Sequence, residues 1–216
     1  MMKMKMKKIF FVFAILISAL LMTSCNLNIT LQMLKDGALA ISFEGGAGQA
    51  FTQMLLSAAG ISSEPNTNAL NQSFDFKEIE YELSKAGFTN IQSQAQGTSS
   101  VRISMHDQKR TSYIFSSGIV SQEKEQLKLN LSRKALVDFY NSADQQTSMI
   151  LDLFLAPVFN DEEMTETEYI QMLATFYGQD AANEVRDSFI NITLKDLDGK
   201  VSKQKLPLTY LLCLNN

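Results

Sequence analysis

The sequence predicts an α+β fold, an antiparallel sheet built from N- and C-terminal hairpins and a central meander with helices packed on one side. Three observations predict it. Leu27, Ile29, Leu31 and Met33 alternate with polar residues ahead of Lys35-Asp36-Gly37, and Leu39, Ile41 and Phe43 alternate behind it. Ile190, Ile192 and Leu194 alternate again ahead of Asp196-Leu197-Asp198-Gly199. Period-two alternation turns one face of a strand inward, and Asp-Gly supplies the positive-φ position that a tight hairpin needs. Between the hairpins, stretches with helical spacing start at capping residues and stop at glycines. Across 216 residues, 45% apolar and 19% charged content with ten Gly and three Pro excludes collagen-like, coiled-coil and largely disordered chains.

Taken in order, the first hairpin leads through Gly45, Gly46 and Gly48 into a helix over 49–59, with Phe51, Met54 and Leu55 on one side and Gly60 as its stop. The polar stretch 62–73 around Pro65 reads as a surface loop. A second helix is predicted over 76–86. Asp75 is its N-cap with Glu78 three residues on, Ile79, Leu83 and Ala86 form its buried stripe, and Gly87 ends it. Segments 89–94, 101–105, 112–115 and 127–131 read as strands of the meander. Ser132 caps a helix carrying Ala135, Leu136 and Phe139, and Thr165 with Glu168 makes a capping box ahead of Tyr169, Met172, Leu173 and Phe176, with Gly178 as the stop. A short helix follows over 181–189, and the last strand is predicted around 206–214. No repeat occurs at solenoid spacing. Residues 25–216 are long enough for one domain.

The first 25 residues carry a targeting pattern. Lys3, Lys5, Lys7 and Lys8 precede an apolar run over 9–22 that only Ser18 interrupts. That run is short for a bilayer span of about 20 residues, and with its basic start it describes a secretory signal peptide over 1–24. Leu21-Met22-Thr23-Ser24-Cys25 resembles the signal of bacterial lipoproteins, with Met22 where Leu is usual. The resemblance implies cleavage before Cys25, a diacylglyceryl thioether on its sulfur, and acylation such as palmitate on the new N-terminus. Two or three acyl chains give stable anchoring, so the mature chain is expected at a membrane surface in the cell envelope. Asn26 in place of Asp favours the outer membrane in a Gram-negative cell. A secretory signal with a coincidental Cys is the plainer alternative. Cys213 is the one other cysteine; its apolar neighbours mark it as a buried small hydrophobe.

The Cys, a strand, a Lys-Asp-Gly turn, a second strand and a helix ending in Ala86-Gly87-Phe88 are also similar to the LppM-like lipoprotein domain over about 27–105. That resemblance implies a small α+β or half-barrel domain associated with envelope lipids. It does not extend over 106–216.

Formal charge is −4, and the 15 basic against 23 acidic residues past the targeting segment leave that part at −8. With no basic run beyond Lys8, no nucleic-acid partner is expected. His106 is the sole His and adjoins Asp107, so it is the one candidate general base; a solvated strand-end His is the plainer reading. No G-x-S-x-G elbow occurs. One His and one unlipidated Cys cannot supply the usual zinc sets, and neither metal nor cofactor is expected. Asp196-Leu197-Asp198-Gly199 begins like a calcium loop but lacks the later Glu, so a hairpin turn explains it better. Gly45-Gly46-Ala47-Gly48 before a helix is either an anion seat or a simple strand-to-helix turn.

Segment 149–159 is apolar nearly all round. It is a core helix or an apolar binding surface formed by Met149, Ile150, Leu153, Phe154, Val158 and Phe159. The expectation is therefore a membrane-anchored, non-enzymatic binding or structural module that engages an envelope lipid or protein, with an amphiphile as the ligand suited to that surface. The alternative is a lipid-anchored hydrolase of an envelope component, using His106 or a carboxylate pair.

Overall fold

Both terminal hairpins form, and they meet through their first strands. The computed structural model describes residues 26–46, 48, 50, 76–85, 87–96, 100–110, 115, 118–142 and 164–212. In chain order these form β1 (Asn26–Met33), β2 (Leu39–Gly46), α1 (Phe76–Lys85), β3 (Thr89–Gln96), β4 (Ser100–Asp107), β5 (Val120–Glu123), β6 (Gln126–Leu129), α2 (Arg133–Ser142), α3 (Glu166–Tyr177), α4 (Gln179–Arg186), β7 (Phe189–Lys195), β8 (Val201–Pro207) and α5 (Leu208–Leu212). Six strands make one sheet in the order β3-β4-β2-β1-β7-β8, and β5 with β6 makes a separate hairpin. The architecture is thus α+β, with a mostly antiparallel open sheet. The predicted meander is divided, because β3 and β4 join the large sheet while β6 pairs with β5.

One contact in the sheet is parallel. β1 runs alongside β7 in register, with Asn28 beside Asn191, Ile29 beside Ile192, Thr30 beside Thr193 and Leu31 beside Leu194. The two strands share the tetrapeptide Asn-Ile-Thr-Leu, so like lies against like across the pair. The turns that follow are built alike as well. Leu34 donates to the Ala38 carbonyl and Gly37 to that of Leu34, while Asp196 donates to Lys200 and Gly199 to Asp196. In each turn an Asp carboxylate accepts from the amide two residues on, Asp36 from Ala38 at 3.0 Å and Asp198 from Lys200 at 2.9 Å. Gly37 and Gly199 take φ of +86° and +83°, a region in which a side chain is strained.

Strand alternation puts Leu27, Leu31, Met33, Leu39, Ile41, Ile103, Met105, Ile190 and Ile192 on one buried face. α1 covers part of it with Ile79 and Leu83. The helix stops at Gly87 (φ +95°), where Gly87 donates to Ser84 and Phe88 to Leu83. That doubly bonded ending lets Phe88 fold back into the core beside Leu83. Ser132 accepts from Ala135 at the start of α2. The capping box of α3 forms: Thr165 accepts from the Glu168 amide, and the Glu168 carboxylate accepts from Thr165. Those bonds from Thr165 hold the Glu168 carboxyl below its ordinary range. α3 and α4 bury Tyr169, Leu173, Ala181, Ala182 and Val185. Burial pushes the Tyr177 hydroxyl up from its ordinary value.

The small β5–β6 hairpin is held by the loop ends of the sheet. Arg110 donates through Nε to the Gly37 carbonyl at 2.7 Å and through Nη1 to Gln122 of β5. The buried Asp196 carboxylate accepts from the Leu127 amide of β6 at 2.8 Å. Val120 and Leu127 thereby enter the core.

The C-terminal expectation needs correction. The return strand is β8, not 206–214, and 208–212 is helical. The short turn sets Lys195 opposite Val201, so pairing must start there whatever the polarity of the strand. β8 is an edge strand rich in Lys and closed by Pro207, which is how exposed edges avoid further pairing. The expected short helix ends at Arg186, and Phe189 already belongs to β7. The signal segment 1–24, all of the expected helix over 49–59 except Ala50, the loop 62–73, Asp75, the strand residues 112–114, the 149–159 segment and Cys213 lie outside the described residues.

Asp196→Ala removes a charged acceptor from a buried amide and is expected to cost about 2 kcal/mol. Hydrogen exchange should show the Leu127 amide opening faster, with the β1–β2 amides shifting only by the global loss. An unchanged Leu127 rate would show that this bond does not hold the hairpin.

Candidate functional site

The face of the large sheet opposite the core is polar, and the register fixes its layout. Gln92, Ser104, Ser42, Thr30, Thr193 and Lys203 form one transverse row across the six strands. Gln94, Arg102, Glu44, Asn28, Asn191 and Lys205 form the next. On the far side lie His106, Ala40, Gln32, Lys195 and Val201. The middle of this face is half-exposed, and neither of the first two rows carries an apolar side chain. Strands about 4.8 Å apart spread six such side chains over roughly 24 Å.

Several of these groups already bond one another. Arg102 grips the Glu44 carboxylate through Nε and Nη2 at 3.1 and 2.6 Å. The Asn191 amide donates to Asn28 Oδ1 at 3.1 Å, a rung between the matched strands. Asn90, at φ +51° where β3 shifts register, donates to His106 Nδ1 at 3.0 Å. The surface offers hydroxyl, amide and charged groups in a fixed grid.

The candidate catalytic pair is separated. His106 lies on the polar face with Arg102 and Ser104, whereas Asp107 lies on the core face with Ile103 and Met105 and is buried. Adjacent strand residues point to opposite faces, so Asp107 cannot orient the His106 ring. Among the described residues, no group of three His, Cys, Asp or Glu side chains could hold a metal.

The glycine-rich anion seat also resolves. Gly45 and Gly46 are strand residues opposite Val101 and Ser100. The Ala50 amide beyond them donates to the Glu184 carboxylate of α4 at 3.3 Å, so a carboxylate of this chain takes that donor. The Asp196 turn is a hairpin turn whose first carboxylate is spent on Leu127. Cys25 and the candidate surface Met149, Ile150, Leu153, Phe154, Val158 and Phe159 lie outside the described residues. No described helix is long and apolar enough to cross a membrane.

Sequence reasoning missed the polar grid and the matched strands at its centre. The signal for the second was present, since the same tetrapeptide precedes an Asp-Gly turn at both ends of the chain. The grid needs cross-strand register, which no local pattern carries.

With side chains 43% and 38% exposed, Arg102 and Glu44 should couple weakly. A double-mutant cycle with Arg102→Ala and Glu44→Ala is expected to give less than about 1 kcal/mol in urea unfolding. A larger coupling would mark the pair as structural rather than as part of an open surface. Comparison with family models, with curated proteins and with solved structures finds no match.

Proposed function

We propose that this chain is a membrane-anchored envelope lipoprotein that works as a non-enzymatic binding or structural module. One observation carries the reading most: Asn26, the residue after the candidate lipidated Cys25, already lies in the central strand β1, paired with Phe189 of β7. A lipid on that sulfur would be joined to the middle of the sheet with no tether between them. The segment 1–24 supplies the export signal and Cys25 the attachment point. The open polar grid supports a surface role, and the opposed directions of His106 and Asp107 weigh against the hydrolase alternative.

The anchor is tested by expressing the full chain in a bacterium fed labelled palmitate. The wild type is expected to take up label and partition into the membrane fraction, and Cys25→Ser to take up none. An unlabelled, soluble wild-type protein would overturn the reading.

An amphiphile remains the ligand proposed for the candidate apolar binding surface of Met149, Ile150, Leu153, Phe154, Val158 and Phe159. Native mass spectrometry of the protein extracted from envelopes in mild detergent is expected to show a bound lipid-sized mass. Phe154→Ser with Leu155→Ser should lose that mass while circular dichroism stays unchanged. A mass free of lipid in the wild type would count against an amphiphile ligand.

A further inference from the structure

We propose that the end of the sheet where β1 begins is seated on the bilayer, with the exposed face of α5 and the adjoining ends of β7 and β8 contacting lipid headgroups. The inference rests on the lipid-anchored reading above and adds an orientation and a contact surface to it.

Register supplies the geometry. Asn26, Phe189 and Pro207 stand in one row across β1, β7 and β8. Consecutive Cα atoms are about 3.8 Å apart, and neighbouring strands about 4.8 Å. Pro207 therefore lies only about 10 Å across the sheet from Asn26, and α5 follows Pro207 directly. An acyl anchor on the residue before Asn26 brings this whole row within about a Debye length, roughly 8–10 Å, of the headgroups. β1 is hydrogen-bonded on both sides, so the residue next to the anchor is fixed within the sheet and the anchor joins the sheet through no flexible linker.

The chemistry at that end fits an anionic lipid surface. α5 buries Leu208 and Thr209 and leaves Tyr210 52% exposed. A tyrosine ring combines an apolar body with a polar tip and favours the membrane–water boundary. Lys205, two pairs in from the row and on the same face as Phe189, holds its ammonium 3.8 Å from the centroid of the Phe189 ring. It presents a cation beside an aromatic group, the combination that interfacial contacts use. Two described acids nearby have partners: Asp187 pairs with Arg186, and Glu166 accepts from the Thr209 hydroxyl at 2.7 Å.

The same bond gives a built-in contrast. It ties the start of α3 to α5, so the rise of the helix carries Phe176 about 15 Å along its axis from that end. Phe176 is 73% exposed, more than Tyr210, but lies at the far end of α3 from the proposed seat.

The chain contains no Trp, so a single introduced indole reports one position. The experiment compares full-length lipidated Tyr210→Trp and Phe176→Trp in vesicles of anionic phospholipid doped with brominated lipid. Tyr210→Trp fluorescence is expected to fall at least twofold and to shift to the blue, while Phe176→Trp emission stays unchanged. Lys205→Glu in the Tyr210→Trp background should weaken the quenching. Vesicle flotation of the same samples separates the two ideas. A chain that fails to float defeats the anchor itself. A chain that floats with Tyr210→Trp unquenched, or with both probes quenched alike, overturns the seat alone.

Discussion

The parallel pairing of β1 with β7 holds the sheet together. β1 has β2 on one side and β7 on the other, so the first strand of the fold is an interior strand. Without it the sheet falls into a three-stranded half of β3, β4 and β2 and a lone C-terminal hairpin. The partners are separated by 163 positions, since Asn26 lies beside Phe189. Joining them costs more chain entropy than closing either hairpin, and such long-range pairing forms late in folding. What rewards the closure is a wall of aliphatic residues, Leu27, Ile29, Leu31, Ile190, Ile192 and Leu194, matched in register on the buried face.

The two hairpins share a plan but differ by one residue in the length of the first arm. Both turns use the same bonds, yet that of β7 comes one residue sooner relative to the paired tetrapeptides. A shift of one position exchanges the faces of everything that follows. In β2 the residues Leu39, Ile41 and Phe43 therefore point to the core. In β8 the corresponding Val201, Lys203 and Lys205 point to the polar face, while Ser202, Gln204 and Leu206 take the core side. The core thins out beneath β8, the edge acquires its lysines, and Leu208-Thr209-Tyr210 are left to form a helix at the sheet's end.

Local patterns carried much of the fold. The Asp-Gly turns, the Thr165–Glu168 box and the stop at Gly87 depend on residues a few positions apart, and each forms where its spacing implies. The α+β class follows from them. Failures came where context outweighed pattern. β5 was invisible because Val-Ser-Gln-Glu is a strand only through its pairing with β6. β8 was misplaced because its own sequence is polar and its position is dictated by the turn before it. For the site, His106 and Asp107 were legible as residue types, but strand alternation, which separates them, becomes decisive only once β4 is known to run through both. The transverse rows of the polar face are a property of six strands in register, and no single segment encodes them.

A chain with two copies of one strand faces a problem of identity, since Asn28–Leu31 and Asn191–Leu194 could exchange places without altering a side chain within the tetrapeptides. The residues just past them break the tie. Met33 ends β1 buried in the core beside Leu39, and the matching position after β7 is Asp196, whose carboxylate serves the Leu127 amide. An exchanged chain would press a carboxylate against Leu39 and leave the Leu127 amide facing a thioether, so each error is paid twice, once at each site. Strand exchange, within the chain or between two copies of it, is thus opposed by a methionine and an aspartate just outside the shared tetrapeptide, together with the unequal arms of the two hairpins.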